Sequence, residues 1–218
     1  MLEAYWSLLL IPAAMMVLRF VTRKYVFSAL VTLDCLILAL FTRTPMSGVI
    51  ALGFAFSIVG DYLLAHQKGN PMRFVAGVGG FFLAHVCFLI YAAHAARPGV
   101  LSAVVAAALV IGYSVFLWKG IYPHAKGAPL RVALAMYMLI SAAVLSVSLG
   151  TTLTLFKVGI FMIVFSDTLI GLHTFMGIQR VQKWILPTYY LCHILIAATL
   201  ISLMYRRRME DGEICNRH

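Results

Sequence analysis

Asp34, Asp61 and Asp167 lie in stretches of sequence otherwise apolar enough to cross a bilayer. A carboxylate at membrane depth costs at least ~2.5–3.5 kcal/mol on insertion scales, so it is read first as lining a site, a proton path or a polar contact inside a bundle. Carboxyl groups in apolar surroundings are suited to acid–base work. Burial and a neighbouring negative charge both favour the protonated form, so two of them can divide the roles of proton donor and proton acceptor. His85 and His193 are intramembrane histidines that could orient a carboxylate or hold water, and Ser57, Tyr137, Tyr189 and Tyr190 supply hydroxyls that could line the same cavity.

The elements that must carry these groups follow from composition. Apolar residues make up 63% of the chain and the mean hydropathy is +0.97, far outside the range of a soluble domain. Windows of 17–25 mostly apolar residues fall at roughly 3–20, 26–42, 46–66, 74–95, 99–118, 129–149, 152–173 and 184–205. The expectation is an all-α, polytopic transmembrane bundle of eight helices. Residues 1–205 form one domain, and 206–218 form a basic then polar tail expected to be disordered. Met1-Leu2-Glu3 provides no basic stretch before the first span, which reads against a cleaved signal peptide. Pro45, Pro71, Pro98, Pro123 and Pro129 punctuate loops, whereas Pro12 and Pro187 fall at or inside helix ends. Cys35, Cys87 and Cys192 fall singly in three spans and Cys215 in the tail, a pattern of free thiols.

The net charge of +10 has no soluble basic domain to carry it, so it reads as loop charge that sets topology rather than as a nucleic-acid surface. Loops after the first, third, fifth and seventh spans carry Arg19, Arg23, Lys24, Lys68, Arg73, Lys119, Lys126, Arg131, Arg180 and Lys183. Arg43, Arg97 and Lys157 occupy the other side, so the first face is expected to be cytoplasmic with both termini outside. Arg206, Arg207, Arg208 and Arg217 count against that orientation. At ~1.5 Å of rise per residue, Asp61 and Asp167 come out ~8–10 Å beneath the basic face, and Asp34, His85, Tyr137 and His193 ~12–16 Å down.

The two deep aspartates also sit in a faint repeat. Gly60-Asp61-Tyr62-Leu63-Leu64 parallels Ser166-Asp167-Thr168-Leu169-Ile170, and Leu83-Ala84-His85-Val86 parallels Leu191-Cys192-His193-Ile194. Four spans per half imply two parallel four-helix repeats, related by an axis along the membrane normal, with the Asp/His pairs facing one another.

On these residues the chain resembles the integral-membrane lysoplasmalogenases, the YhhN-like family. The resemblance rests on Gly60-Asp61 with Leu63-Leu64, on Gly77-x-x-Gly80-Phe81-Phe82-Leu83-Ala84-His85, on Phe165-Ser166-Asp167, and on Thr188-Tyr189-Tyr190-Leu191-Cys192-His193. Phe88 and His193 depart from the residues common in that pattern. The resemblance implies a hydrolase that opens the vinyl ether of a lysoplasmalogen (lysoplasmenylethanolamine or lysoplasmenylcholine) to a fatty aldehyde and a glycerophospho headgroup. Its expected partners are a lysophospholipid and the bilayer of an inner membrane or endomembrane, and no metal or other cofactor is called for.

A vinyl ether is cleaved by protonation of its alkene carbon and capture of the resulting oxocarbenium ion by water, chemistry parallel to that of glycosidases. Asp61 and Asp167 are the expected catalytic pair. Asp34, Ser57, His85, Tyr137, Tyr189, Tyr190 and His193 are expected to line the substrate site. Two rival classes remain at this level. A proton-coupled or small-molecule transporter would also hold acids and histidines at membrane depth, but would favour broken helices. A zinc hydrolase would draw on His66, His85, His94, His124, His173 and His193, among which no H-x-x-x-H pair occurs.

Overall fold

The computed structural model describes residues 4–97 and 99–215, without the side chains of 4, 101, 102 and 212–215. Pro98, Arg217, Met1, Leu2 and Glu3 lie outside the described residues, as does the Cys215 side chain. Eight helices long and apolar enough to span a membrane are found among the described residues. After a helical turn at Ala4–Ser7, they are α1 (Leu10–Thr22), α2 (Tyr25–Thr42), α3 (Ser47–Ala65) and α4 (Pro71–Ala95), then α5 (Val100–Phe116), α6 (Ala128–Leu149), α7 (Thr154–Met176) and α8 (Gln182–Cys215). A π-helical turn, Leu117–Ile121, and a 3-10 turn, Tyr122–His124, continue α5.

Local sequence explains where the helices begin and end. Asn70 caps α4 by accepting from the Met72 and Arg73 amides at 2.9 and 3.4 Å, and Pro71 occupies the first turn, where no amide is needed. α7 stops at Gly177, whose φ of 68° suits a residue without a Cβ. The basic run was expected to leave the last helix. Instead α8 continues through Arg206–Arg208 to Cys215, and the disorder expected after Tyr205 is corrected over 206–215. Arginine and glutamate are good helix formers, so nothing in that run ends the helix locally. Arg208 donates to the Tyr5 hydroxyl at 2.5 Å and stacks on its ring, which fixes both described ends on one side of the bundle. α3 and α7 are uninterrupted.

The surface confirms the solvent. Leu10, Ile111, Val132 and Leu139 are each more than 60% exposed, while Ser57, His85, Ser141, Ser166 and His193 are fully buried. An apolar exterior around a polar interior is stable only in hydrocarbon, so the chain is a multi-pass membrane protein.

Neighbour relations repeat when four is added to each helix number. α3 packs most heavily on α4 and α7 on α8, α1 packs on α2 and α5 on α6, and the cross-contacts α4 with α6 and α8 with α2 exchange in the same way. The equivalence reaches individual residues. Gly60 meets Gly77 and Gly80 so closely that a Cβ on Gly80 would stand 2.9 Å from the Gly60 nitrogen. At the matching point of the other half, Ser166 Oγ donates to the Ile185 carbonyl at 2.9 Å. In each half the residue before the aspartate touches the residue eight before the histidine. Small residues at these points allow the close helix approach that substitutes for hydrophobic association inside a membrane.

Candidate active site

Asp61 lies four residues before the end of α3, and Asp167 nine before the end of α7. By count they stand ~6 and ~13 Å from those helix ends, because α7 runs further past its acid than α3 does. The two carboxyl groups nonetheless stand within electrostatic reach of each other.

Each carboxylate takes one tyrosine. The Tyr189 hydroxyl on α8 donates to Asp61 Oδ2 at 3.0 Å, and the Tyr137 hydroxyl on α6 donates to Asp167 Oδ2 at 2.7 Å. His85 on α4 brings Nε2 to 3.3 Å from the same Asp167 oxygen, although without the alignment of a hydrogen bond. Its Nδ1 stands 2.9 Å from the Phe81 carbonyl, one turn back. A carbonyl can only accept, so Nδ1 carries hydrogen and Nε2 of the neutral ring presents a lone pair. A lone pair opposite a carboxylate is repulsive, so the approach is favourable when one proton resides on either partner.

His193 is built the same way. Nδ1 stands 2.9 Å from the Tyr189 carbonyl one turn back, and the fully buried Nε2 has no partner. The Ser57 hydroxyl, one turn below Asp61, and the Ser141 hydroxyl, one turn below Tyr137, are also buried and unpaired. Helical spacing therefore lays two tiers, with Asp61, Phe81, Tyr137 and Tyr189 above and Ser57, His85, Ser141 and His193 below. Phe54 packs on the His193 ring at 5.2 Å between centroids and on Phe88 at 6.0 Å, closing the lower tier with aromatic carbon. Buried polar atoms left unpaired are costly, which fits a tier that receives water or a polar part of a ligand.

A small cavity of ≈ 50 Å³ opens on Asp167 and Tyr137. The remainder of its wall is apolar, with Leu64 from α3, Phe74, Val78 and Phe81 from α4, Leu130, Ala133 and Leu134 from α6, and Ile170 and Phe175 from α7. The volume is room for a few water-sized groups, well short of a drug-sized ligand site. Asp61 does not line this cavity. Tyr189, hydrogen-bonded to Asp61, also packs edge-on against Phe81, a residue of that wall.

Of the anticipated lining residues, the structure brings His85, Tyr137, Tyr189, His193 and Ser57 into the two tiers. Asp34 is not brought in: it makes no hydrogen bond, and its Oδ2 is buried without a partner on α2. Tyr190 points instead to Ser28, whose hydroxyl it contacts, and Arg19 Nε donates to that serine at 2.9 Å. Sequence reasoning missed Ser28, Arg19 and Phe81 in these positions, and also Tyr113, which bonds Thr168 beside Asp167 at 3.3 Å. Only the aromatic one turn before each histidine, Phe81 and Tyr189, carried a signal that the repeat could have exposed. Among the described residues, no three His, Cys, Asp or Glu side chains converge as metal ligands.

Comparison with known proteins gives one match. The model of the YhhN family matches residues 23–200, from the start of the α1–α2 turn to the middle of α8. No match is found among curated proteins or among solved structures.

Proposed function

The chain belongs to the YhhN family, the lysoplasmalogenase family, and from that premise we propose that it hydrolyses the vinyl ether of a lysoplasmalogen with Asp167 as proton donor and Asp61 as the base for water. The observation that carries the reading is the asymmetry of the two carboxylates. Asp167 faces the apolar cavity and shares its contact with His85, whereas Asp61 stands outside that cavity with Tyr189.

The apolar cavity admits the carbons next to the ether oxygen and sets the alkene carbon beside Asp167, and a longer chain enters only as the apolar walls separate. Asp167 gives its proton to that carbon, and the ether oxygen's lone pair forms the second bond of the oxocarbenium ion. Tyr137 stabilises the negative charge left on Asp167, since hydrogen bonds to ions are the stronger kind. Water from the lower tier adds to the cation as Asp61 takes its proton, yielding a hemiacetal. Asp61 then returns that proton to the glycerol oxygen while Asp167 takes the hemiacetal hydroxyl proton. Aldehyde and alcohol separate, and both acids regain their starting forms. Positioned acid–base groups of this kind contribute about 10²–10⁴-fold each.

The test is aldehyde release from a synthetic vinyl-ether lysolipid by purified protein in detergent. Asp61→Asn and Asp167→Asn keep size and hydrogen bonding but cannot shuttle a proton, and each is expected to lose at least ~100-fold in kcat. Acyl lysolipids are expected to be poor substrates, since an ester does not react by alkene protonation. Full activity of either asparagine variant, or equal turnover of the acyl ester, sinks the mechanism. Uptake of solute into liposomes without hydrolysis would favour a transporter instead.

A further inference from the structure

Between the end of α1 and the connection into α8 lies an open groove of ≈ 740 Å³. Arg19 and Arg23 line it from α1, and Arg180 and Lys183 from a segment some 160 residues later in the chain. No acidic side chain lines it. Charges that serve only to set topology gain nothing from converging, and four cations brought into one concavity repel one another unless an anion joins them. The other cations of this face are differently disposed. Arg73 donates to the His66 carbonyl at 2.9 Å and Arg131 to the Ala125 carbonyl at 3.0 Å, so both already close helix ends.

The groove also connects inward. Arg19 Nε donates to Ser28, Ser28 contacts the Tyr190 hydroxyl, and the Tyr190 ring packs at 5.7 Å on Tyr189, which holds Asp61. The Nε bond orients the Arg19 guanidinium in the wall of the groove. An oriented guanidinium beside further cations suits the paired oxygens of a phosphate.

We propose that this groove is the phosphate subsite of the enzyme, where Arg19, Arg23, Arg180 and Lys183 hold the phosphodiester of a lysolipid headgroup while the ether end of the same molecule reaches the aspartates. The proposal rests on the lipid-hydrolase reading above and deepens it. The apolar cavity opens on Asp167 and the cationic groove is linked to Asp61 through Ser28, Tyr190 and Tyr189, one region for each end of an amphiphile.

The test measures binding to full-length protein in neutral detergent with two probes that cannot be cleaved by alkene protonation. One is a saturated 1-O-alkyl lysophosphatidylethanolamine, the other the matching 1-O-alkyl glycerol without phosphate. Arg180→Gln/Lys183→Gln and, separately, Arg19→Gln are expected to weaken the phosphate-bearing probe at least ~10-fold, as loss of a charged hydrogen-bonding partner does. The alkyl glycerol should bind all forms equally. Arg180→Lys, which keeps the charge, should retain affinity.

Equal weakening of both probes, no weakening of either, or loss in Arg180→Lys matching that of the glutamine variant overturns the proposal. An anionic diacyl lipid that displaces the lysolipid from wild type at low mole fraction would make the groove a site for bulk lipid and overturn it as well. Because neither probe is turned over, binding is read whether or not vinyl ethers are hydrolysed. Intact headgroup binding without aldehyde release would therefore sink the activity alone.

Discussion

His85 turns Nε2 to 3.3 Å from Asp167 Oδ2 while Nδ1 stays on the Phe81 carbonyl at 2.9 Å. The backbone bond orients the ring and turns Nε2 toward the carboxylate. An interhelical bond would need only a donor at that place, whereas a proton store needs a group that can give one up.

Glutamine separates the two roles. His85→Gln can donate to Asp167 but holds no mobile proton, and kcat is expected to fall ~10²-fold with KM little changed. Single-turnover aldehyde release in detergent measures this. Wild-type turnover in the glutamine variant would reduce His85 to a bond between helices.

Tyr137 and Tyr189 make corresponding bonds, one to each acid. A hydrogen bond to a charged group contributes about 1.5–3 kcal/mol, so Tyr137→Phe and Tyr189→Phe should each lower kcat by about 10–100-fold. Both variants keep the ring that packs against its neighbour, Tyr137 on His85 and Tyr189 on Phe81. A loss confined to one of the two would show that only its aspartate takes part in the rate-limiting step.

Ala133 lies on the wall of the apolar cavity. A phenyl ring there fills the ≈ 50 Å³ cavity and should raise KM for long alkenyl chains more than for short ones. Kinetics across a chain-length series with Ala133→Phe gives the answer, and an equal effect at every length would place the chain elsewhere.

The approach of α3 to α4 can be tested without substrate. A Cβ on Gly80 would stand 2.9 Å from the Gly60 nitrogen and 3.0 Å from its Cα, both backbone atoms that cannot swing aside. Gly80→Ala should cost about 1–3 kcal/mol, read as a lower Tm in detergent. Gly79→Ala, with nothing within 4 Å, should leave Tm unchanged or raise it. Identical behaviour of the two variants would remove the tight crossing.

Much of the molecule was legible in the residues. Eight spans followed from apolar length, because hydrocarbon admits no unpaired backbone and so fixes both helix and extent. Asp61, Asp167, His85 and His193 stood out because ionisable groups are costly at that depth. The Asp/His repeat predicted two halves, and several helix pairings recur between them, α3–α4 with α7–α8 and α4–α6 with α8–α2.

Helix rotation was not legible. A helix in lipid is apolar on every side, so its sequence lacks the stripe that tells a soluble helix which face to bury. Nothing in the order of residues showed that Tyr137 and His85 would meet at Asp167, that Asp34 would stay apart, or that Arg19 would reach Tyr190 through Ser28. Those outcomes were decided by close crossings such as Gly60 on Gly80, where backbone contact sets the rotation of each helix and with it the direction of every polar group it carries.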